Sequence, residues 1–293
     1  MDLRWIPSTE LSGLHAAVTA RQSLPFTNES LRAAIEEPSN RLFAAARMAN
    51  LDDEQFVRHL QSQSLHYPGS QELAARVLKR ANPARATPDN ISLLGAAIAE
   101  CRSVFNHSFP RLAEELNLRI GPLQSMWEAR GPGLLAMIGN LTEPDMIAES
   151  ASVILVQPVV GGFGAAHLDT NCVHIEALLT DPLPQLPEIL RLAWLLAQLQ
   201  LDRPIYGEQV HGWKLPAVAA RALLPITLAA AEELQVSSNT APNIEAALMQ
   251  WLKLSSDDAA HEQNVIFAWW ETQRDANYDW ATALAALSAM LAA

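Results

Sequence analysis

The stretch SVILVQPVVGGFGAAHLDTNCVHIEALL, residues 152–179, carries the strongest β-strand signals in the chain. Residues 152–160 are rich in β-branched and other apolar side chains, as expected of a strand that is covered on both faces. The glycines that follow tolerate positive φ and so permit a turn or a bulge. Residues 171–179 then alternate in polarity, with His174 and Glu176 on one face, which is typical of a half-buried strand. We therefore predict a β-hairpin.

Helix signals dominate the chain before this hairpin. Asn28, Asp52 and Thr87 stand where their side chains can cap the first turn of a helix, and proline follows Thr87 at the first helical position. The turn Pro38-Ser39-Asn40 predicts one more helix start. Residues 1–120 are therefore expected to form a bundle of short helices.

The chain after residue 120 mixes helices with the hairpin. Gly131-Pro132-Gly133 predicts a break within an apolar segment, because proline removes a helical hydrogen bond. Residues 186–201 have almost no polar side, which predicts a central helix. Helices are also expected from Leu215 to about Gln235, with a kink at Pro225, and over the remaining tail, at 243–254, 259–274 and 278–291.

These elements indicate a mainly α protein of the α+β class. A helical bundle is expected over residues 1–120, and an α+β region, with helices packed around one small antiparallel β element, over residues 121–293. The two regions can also be parts of one integrated domain, because the chain has 293 residues, a length that suits one large domain or two smaller ones.

Composition excludes several classes of function. Hydrophobic residues make up 49% of the chain and charged residues 18%, which indicates a folded protein rather than a disordered one. The net charge of -12 repels a phosphate backbone, so no nucleic-acid partner is expected. The first residues lack the pattern of a signal peptide and the apolar runs are interrupted, so we predict a cytoplasmic protein without a membrane partner.

Two histidines and a glutamate near the hairpin are candidate metal ligands. His167, His174 and Glu176 could supply the three protein ligands that a catalytic zinc site uses. The alternative is that His174 and Glu176 face solvent or a neighbouring helix, since no recognised metal-binding spacing is present. Asp169 and Asn171 are possible ligand-binding residues too, although turn chemistry explains them equally well. No cofactor is predicted, and a divalent metal such as zinc is the alternative.

Two arginines stand in apolar surroundings. Arg130 and Arg191 should each be paired or hydrogen-bonded, because an unpaired buried charge is costly. Glu128, Glu176 and Glu188 are the candidate partners. These arginines form either structural salt bridges or a clamp for an anionic ligand.

Other motifs do not identify an enzyme class. The cysteines, Cys101 and Cys172, have no metal-ligand spacing. The glycines of GGFG precede a predicted strand rather than a helix, which is not typical of a phosphate-binding loop. His261-Glu262 has Val265 where the second histidine of a zinc-binding HExxH motif would stand.

The segments WEARGPGLL, GGFGAAHLDTNCVHIEALL and LPEILRLAWLLAQL, within about residues 127–200, resemble sequences of uncharacterised bacterial proteins of unknown function. This resemblance implies no catalytic residues. The order of strand and helix is also similar to that of zincin metallopeptidases, but the corresponding helix, at Leu190–Trp194, lacks both histidines and the glutamate. If the protein shares the zincin scaffold, it has therefore lost the zinc-binding residues.

Two functions are compatible with these patterns, and the sequence leaves open whether the protein is an enzyme. The first is a non-catalytic binding or scaffold protein, for which Trp213, Trp251, Trp269 and Trp270 would line a groove or an interface. The second is a metal-dependent hydrolase with its site at the hairpin. The expected partner is a protein or a small molecule, and formation of a homo-oligomer stays open.

Overall fold

A computed structural model describes residues 1–201, 203–212, 214–276 and 278–292. It confirms the predicted fold class, because the protein is 66% helical with a small four-stranded mixed sheet. Trp213, one of the tryptophans expected to line a groove, lies outside the described residues.

In chain order, the described strands and helices are β1 (Asp2–Pro7), α1 (Thr9–Arg21), α2 (Glu29–Met48), α3 (Asp53–Gln63), α4 (Ser70–Ala81), α5 (Pro88–Ser108), α6 (Leu112–Leu141), β2 (Ser150–Val156), β3 (Gly164–His167), β4 (Cys172–Glu176), α7 (Glu188–Leu196), α8 (Pro204–Gly207), α9 (Leu215–Glu233), α10 (Ala241–Trp251), α11 (Ser256–Ala276) and α12 (Trp280–Met290).

The chain divides into two compact units. The first unit comprises Met1–Trp5, Gly121–Val153 and Gly162–Ala293, and the second comprises Ile6–Ile120 and Ile154–Gly161. In the second unit, α5 packs on α1, α2 and α4, α1 packs on α2, and α3 packs on α4. The apolar faces of these helices supply its core, where the rings of Phe43 and Phe56 meet edge to face at 5.5 Å.

Side-chain caps begin three helices of the second unit, as predicted. Asn28 accepts a hydrogen bond from Leu31 N, Asp52 from Glu54 N and Gln55 N, and Thr87 from Asn90 N. The start predicted at Pro38 is wrong, because Pro38 lies inside α2. Its neighbour Ser39 is buried and donates a hydrogen bond to Ala17 O at 2.6 Å. Tertiary packing therefore overrides the local preference of proline for a helix start.

The break predicted at Gly131-Pro132-Gly133 is also wrong, since α6 continues through it. Buried side chains follow one helical stripe across this segment, at Leu123, Trp127, Leu134 and Ile138. Gly131 is buried beneath the indole ring of Trp127, which occupies the place of a Cβ atom. Pro132 is exposed, so the carbonyl that loses its amide partner lies on the solvent side of the helix.

The structure contains a β-hairpin, but its first strand is not the predicted one. The strand order is β1-β2-β4-β3, so β2 and β3, which flank the glycine loop, are not neighbours. The hairpin is formed by β3 and β4, which pair antiparallel with Gly164 opposite Ile175 and His167 opposite Cys172. Its turn ends at Asn171, a left-handed residue with φ 49°. Strand β1 was not predicted.

Helix α7 lies at the centre of the first unit, as expected for the apolar segment 186–201. It packs on β3, β4 and α9. Trp194 is only 3% exposed, donates a hydrogen bond to Ala220 O at 2.8 Å and contacts the ring of Trp251. Trp251, Trp269 and Trp270 are all buried, so they belong to the core and do not line a groove, which corrects the expectation for them.

The tail forms α10, α11 and α12, and the predicted helix with Pro225 inside it is α9. Among the described residues, α9 is the one helix long and apolar enough to cross a membrane, and 72% of its apolar window is buried in the protein. That burial is consistent with the core helix of a soluble protein.

Candidate functional site

Strand β4 carries the polar residues that the sequence analysis singled out. All five of its residues are buried, because it lies between β2 and β3 in the sheet. The prediction that this strand is half-buried is therefore wrong. Of the two surroundings expected for His174 and Glu176, solvent or a neighbouring helix, solvent is excluded. Side chains two apart share a strand face, and pairing of His167 with Cys172 places His167 on the same face as His174 and Glu176.

The two histidines form a buried pair. His167 Nε2 lies 2.8 Å from His174 Nδ1, and the rings stack with centroids 5.0 Å apart. Burial lowers the pKa of His167 to about 4, so its ring is neutral at neutral pH. In this pair one ring nitrogen donates a hydrogen bond and the other accepts it.

Glu176 is directed away from that pair, to the backbone of the glycine loop. Its Oε2 accepts a hydrogen bond from Gly162 N at 2.7 Å. The structure therefore brings His167 and His174 together without Glu176 as a third ligand. Within the described residues, no group of three or more His, Cys, Asp or Glu side chains could hold a metal ion.

The carbonyl oxygen of Gly162 is also hydrogen-bonded to a side chain. Lys253, which follows α10, donates a hydrogen bond from Nζ to Gly162 O at 3.0 Å. Gly162 has φ 125°, a conformation that L side chains rarely adopt, and an added Cβ would lie 2.8 Å from the Arg191 guanidinium nitrogens. Glycine is thus required here both for its backbone angle and for the close approach of Arg191.

Arg191 is 3% exposed and forms an ion pair with Glu188, one turn earlier on α7, at 3.1 Å. Asp181 extends the network, because its Oδ1 accepts a hydrogen bond from Glu188 N at 2.8 Å. We call Glu176, Asp181, Glu188, Arg191 and Lys253 the charge cluster.

Burial shifts the ionisation of the charge cluster. It raises the pKa of Glu188 to about 7, and the neighbouring carboxylates of Asp181 and Glu176 act in the same direction against Arg191 and Lys253. Burial also lowers the pKa of Lys253 to about 8, with a further contribution from Arg191. Glu188 therefore titrates near neutral pH, and Lys253 titrates slightly above it.

The other predicted site residues lie apart from this cluster. Arg130 and Asp169 are exposed, which corrects the expectation that Arg130 lies in an apolar setting. Asn171 is exposed and left-handed, and its Nδ2 donates to Ser150 O at 2.7 Å. Asn171 thus has the turn role that its residue type favours.

A narrow apolar cleft borders the charge cluster at Glu188. Its volume is about 20 Å³, which is room for roughly one water molecule. We call it the Glu188 cleft; the described residues that line it are seven apolar side chains and one carboxyl group, namely Trp5, Leu123, Met126, Trp127, Ile175, Glu188, Ile189 and Leu192. All eight belong to the first unit.

Sequence reasoning did not identify Lys253, Asp181 or the cleft. Lys253 is 91 residues from Gly162, and no local pattern marks that contact. The proximity of Arg191 to Glu188 could be predicted from the sequence, because side chains three residues apart share a helix face. Comparisons with protein families, with curated proteins and with solved structures find no match to this chain.

Proposed function

We propose that the protein is a non-catalytic binding protein of the cytoplasm and that it takes a small molecule at the Glu188 cleft. The observation that carries this proposal is the cleft itself, which combines apolar walls with a single carboxyl group. In small-molecule sites apolar walls provide affinity and a few polar groups provide orientation. The enclosed volume of this cleft limits the inserted part of a ligand to a group about the size of one water molecule.

The buried polar side chains support a non-catalytic role. His167 bonds to His174, while Glu176 and Lys253 bond to the backbone of Gly162. These groups stabilise the hairpin and the glycine loop. A general acid or base has to come within hydrogen-bond reach of a substrate. His167, His174 and Glu176, at 0% to 5% exposure, are poorly placed for that.

The mouth of the cleft supports a ligand of modest size. Trp5 is half-buried, and Met126 is 37% exposed while Trp127 is only 4% exposed. Methionine adapts its shape to different apolar partners, and tryptophan offers a large rigid surface. A ligand can therefore insert one end and lay the remainder along Trp5 and Met126.

Ligand-observed NMR with 1-butanol tests this function. We expect saturation transfer from the protein to butanol, and we expect Met126→Trp to reduce it by filling the mouth. Met249→Trp is the matched control, because Met249 is also 37% exposed and does not line the cleft. Equal transfer in both variants, or none in the unaltered protein, would overturn the proposal, and so would chemical conversion of a bound probe.

A further inference from the structure

The charges around Glu188 balance only when its carboxyl group is protonated. Its carboxyl group is within electrostatic reach of two other carboxylates, Glu176 and Asp181, and of two cations, Arg191 and Lys253. When all of them are ionised, these five described residues carry three negative and two positive charges. In that state the net charge of the charge cluster is -1, and protonation of Glu188 brings it to zero.

Glu188 is the member of the charge cluster that lines the cleft. Its side chain keeps 10% exposure, whereas Arg191 keeps 3%. Ionised Glu188, which also pairs with Arg191 at 3.1 Å, thus places a carboxylate on the lining of the cleft. Two tryptophans, Trp5 and Trp127, share this lining, and the face of an indole ring attracts a cation.

Long-range electrostatics acts in the same direction. The net charge of the chain is -12, and a strongly negative protein raises the local concentration of cationic ligands and lowers that of anions. Charge balance, aromatic lining and net charge therefore all favour a cation with an apolar body over a neutral or anionic molecule.

We propose that the ligand of the Glu188 cleft is a small organic amine in its protonated form, with its ammonium group against the Glu188 carboxylate. Its hydrocarbon part then packs on Trp5, Met126 and Trp127. The inference rests on the proposed function and specifies the ligand class. The cavity volume of about 20 Å³ admits the head group of such a molecule, and the open mouth takes the chain.

Binding of the amine is coupled to protons. Burial holds the pKa of Glu188 at about 7, so a bound cation takes the place of the proton and releases it to the buffer. The charged groups that face Glu188 are Asp181 before α7, Glu176 on β4, Arg191 on α7 and Lys253 after α10. Affinity for a cation should fall as the pH falls through about 7, whereas loss of the Lys253 proton above about 8 should raise it.

Three four-carbon probes test the inference: 1-butylammonium, 1-butanol and butyrate, titrated separately and followed by ligand-observed NMR. We expect butylammonium to bind about tenfold more tightly than butanol, the ratio typical of a charge-assisted over a neutral hydrogen bond. Butyrate should bind most weakly. We also expect the preference for butylammonium over butanol to shrink as the pH falls through about 7.

Glu188→Gln should abolish that preference, so that butylammonium and butanol bind the variant equally. Glu262→Gln is the matched control, because Glu262 forms a comparable, partly buried pair with Arg221 and does not line the cleft. If Glu188→Gln does not fold, the pH titration of the unaltered protein decides. Equal binding of butanol and butylammonium would overturn the amine inference and leave the proposed function intact, whereas no binding of any probe would overturn both.

Discussion

Two groups of buried polar side chains differ in how they are stabilised, although each has one member on the same face of strand β4, namely His174 and Glu176. In the histidine pair, burial lowers the pKa of His167, which stays neutral and bonds to His174. The charge cluster begins two residues later, at Glu176, and keeps carboxylates, an arginine and a lysine together. Burial disfavours the charged form of His167, Glu188, Arg191 and Lys253 alike, but in the charge cluster groups of opposite charge act against it.

The two groups have opposite effects on how the stability of the fold depends on pH. Burial lowers the pKa of His167 from 6.5 to about 4, so the unfolded chain binds the proton more readily and acid destabilises the fold. Burial raises the pKa of Glu188 from 4.5 to about 7, so the folded chain binds the proton more readily and acid stabilises the fold. Neighbouring groups can therefore oppose each other within one pH range.

The largest effect should come from the charge cluster. Glu176→Ala removes the acceptor of the Gly162 amide and one of the carboxylates near Arg191 and Lys253. Removing one partner of a buried ionic group costs about 3 to 5 kcal/mol, measured as the free energy of unfolding in urea. Glu176→Gln is the control, because it retains an acceptor without the charge. A loss below about 1 kcal/mol for the alanine variant would mean that the carboxylate contributes little to the cluster.

The glycine loop should show the next largest effect. Gly162→Val imposes a β-branched side chain at φ 125° and directs its Cβ toward the Arg191 guanidinium. Backbone strain of this type costs about 1 to 3 kcal/mol, and displacement of Arg191 adds to that cost. Chemical denaturation measures the loss, and Gly212→Val is the control because no atom lies within 4 Å of its Cβ position. Equal losses at both glycines would remove the special role of Gly162.

His167→Gln should change the pH dependence of stability. The folded protein has the lowered pKa, so the stability due to His167 is complete above 6.5 and is lost as the pH falls through about 4. Urea denaturation across this range should therefore show that the unaltered protein loses more stability on acidification than the variant does. Parallel curves would show that His167 is not held neutral by burial.

Glu188→Gln should change the same curve with the opposite sign. Because the folded protein has the raised pKa, the stability due to Glu188 is complete below 4.5 and is lost as the pH rises through about 7. Relative to the variant, the unaltered protein should become less stable as the pH rises across this interval. If Glu188→Gln and His167→Gln changed the pH dependence of stability in the same direction, the two groups would not respond oppositely to acid.

The smallest effect is expected at Arg130. This arginine is exposed, in contrast to Arg191 at 3% exposure. Arg130→Ala should therefore alter the free energy of unfolding by no more than about 0.5 kcal/mol. A loss above about 1 kcal/mol would show that Arg130 has a structural role despite its exposure.

Much of the fold was predictable because its signals are local. A side-chain cap at Asn28, Asp52 or Thr87 depends on three or four consecutive residues, and the apolar character of residues 186–201 depends on one segment. The same local rules failed at Pro38 and Pro132. At both places a continuous buried stripe holds the helix together against the preference of proline, and the packing partners of that stripe are distant in sequence.

The candidate site illustrates the same limit. The sequence by itself determined the mainly helical class, the strong negative charge and the presence of polar residues in the second strand of the hairpin. Only the tertiary structure decided that β4 lies inside the sheet, that His167 bonds to His174, and that Glu176 and Lys253 meet at Gly162. Strand order and contacts across 91 residues arise from the packing of whole elements, which period and capping patterns do not encode.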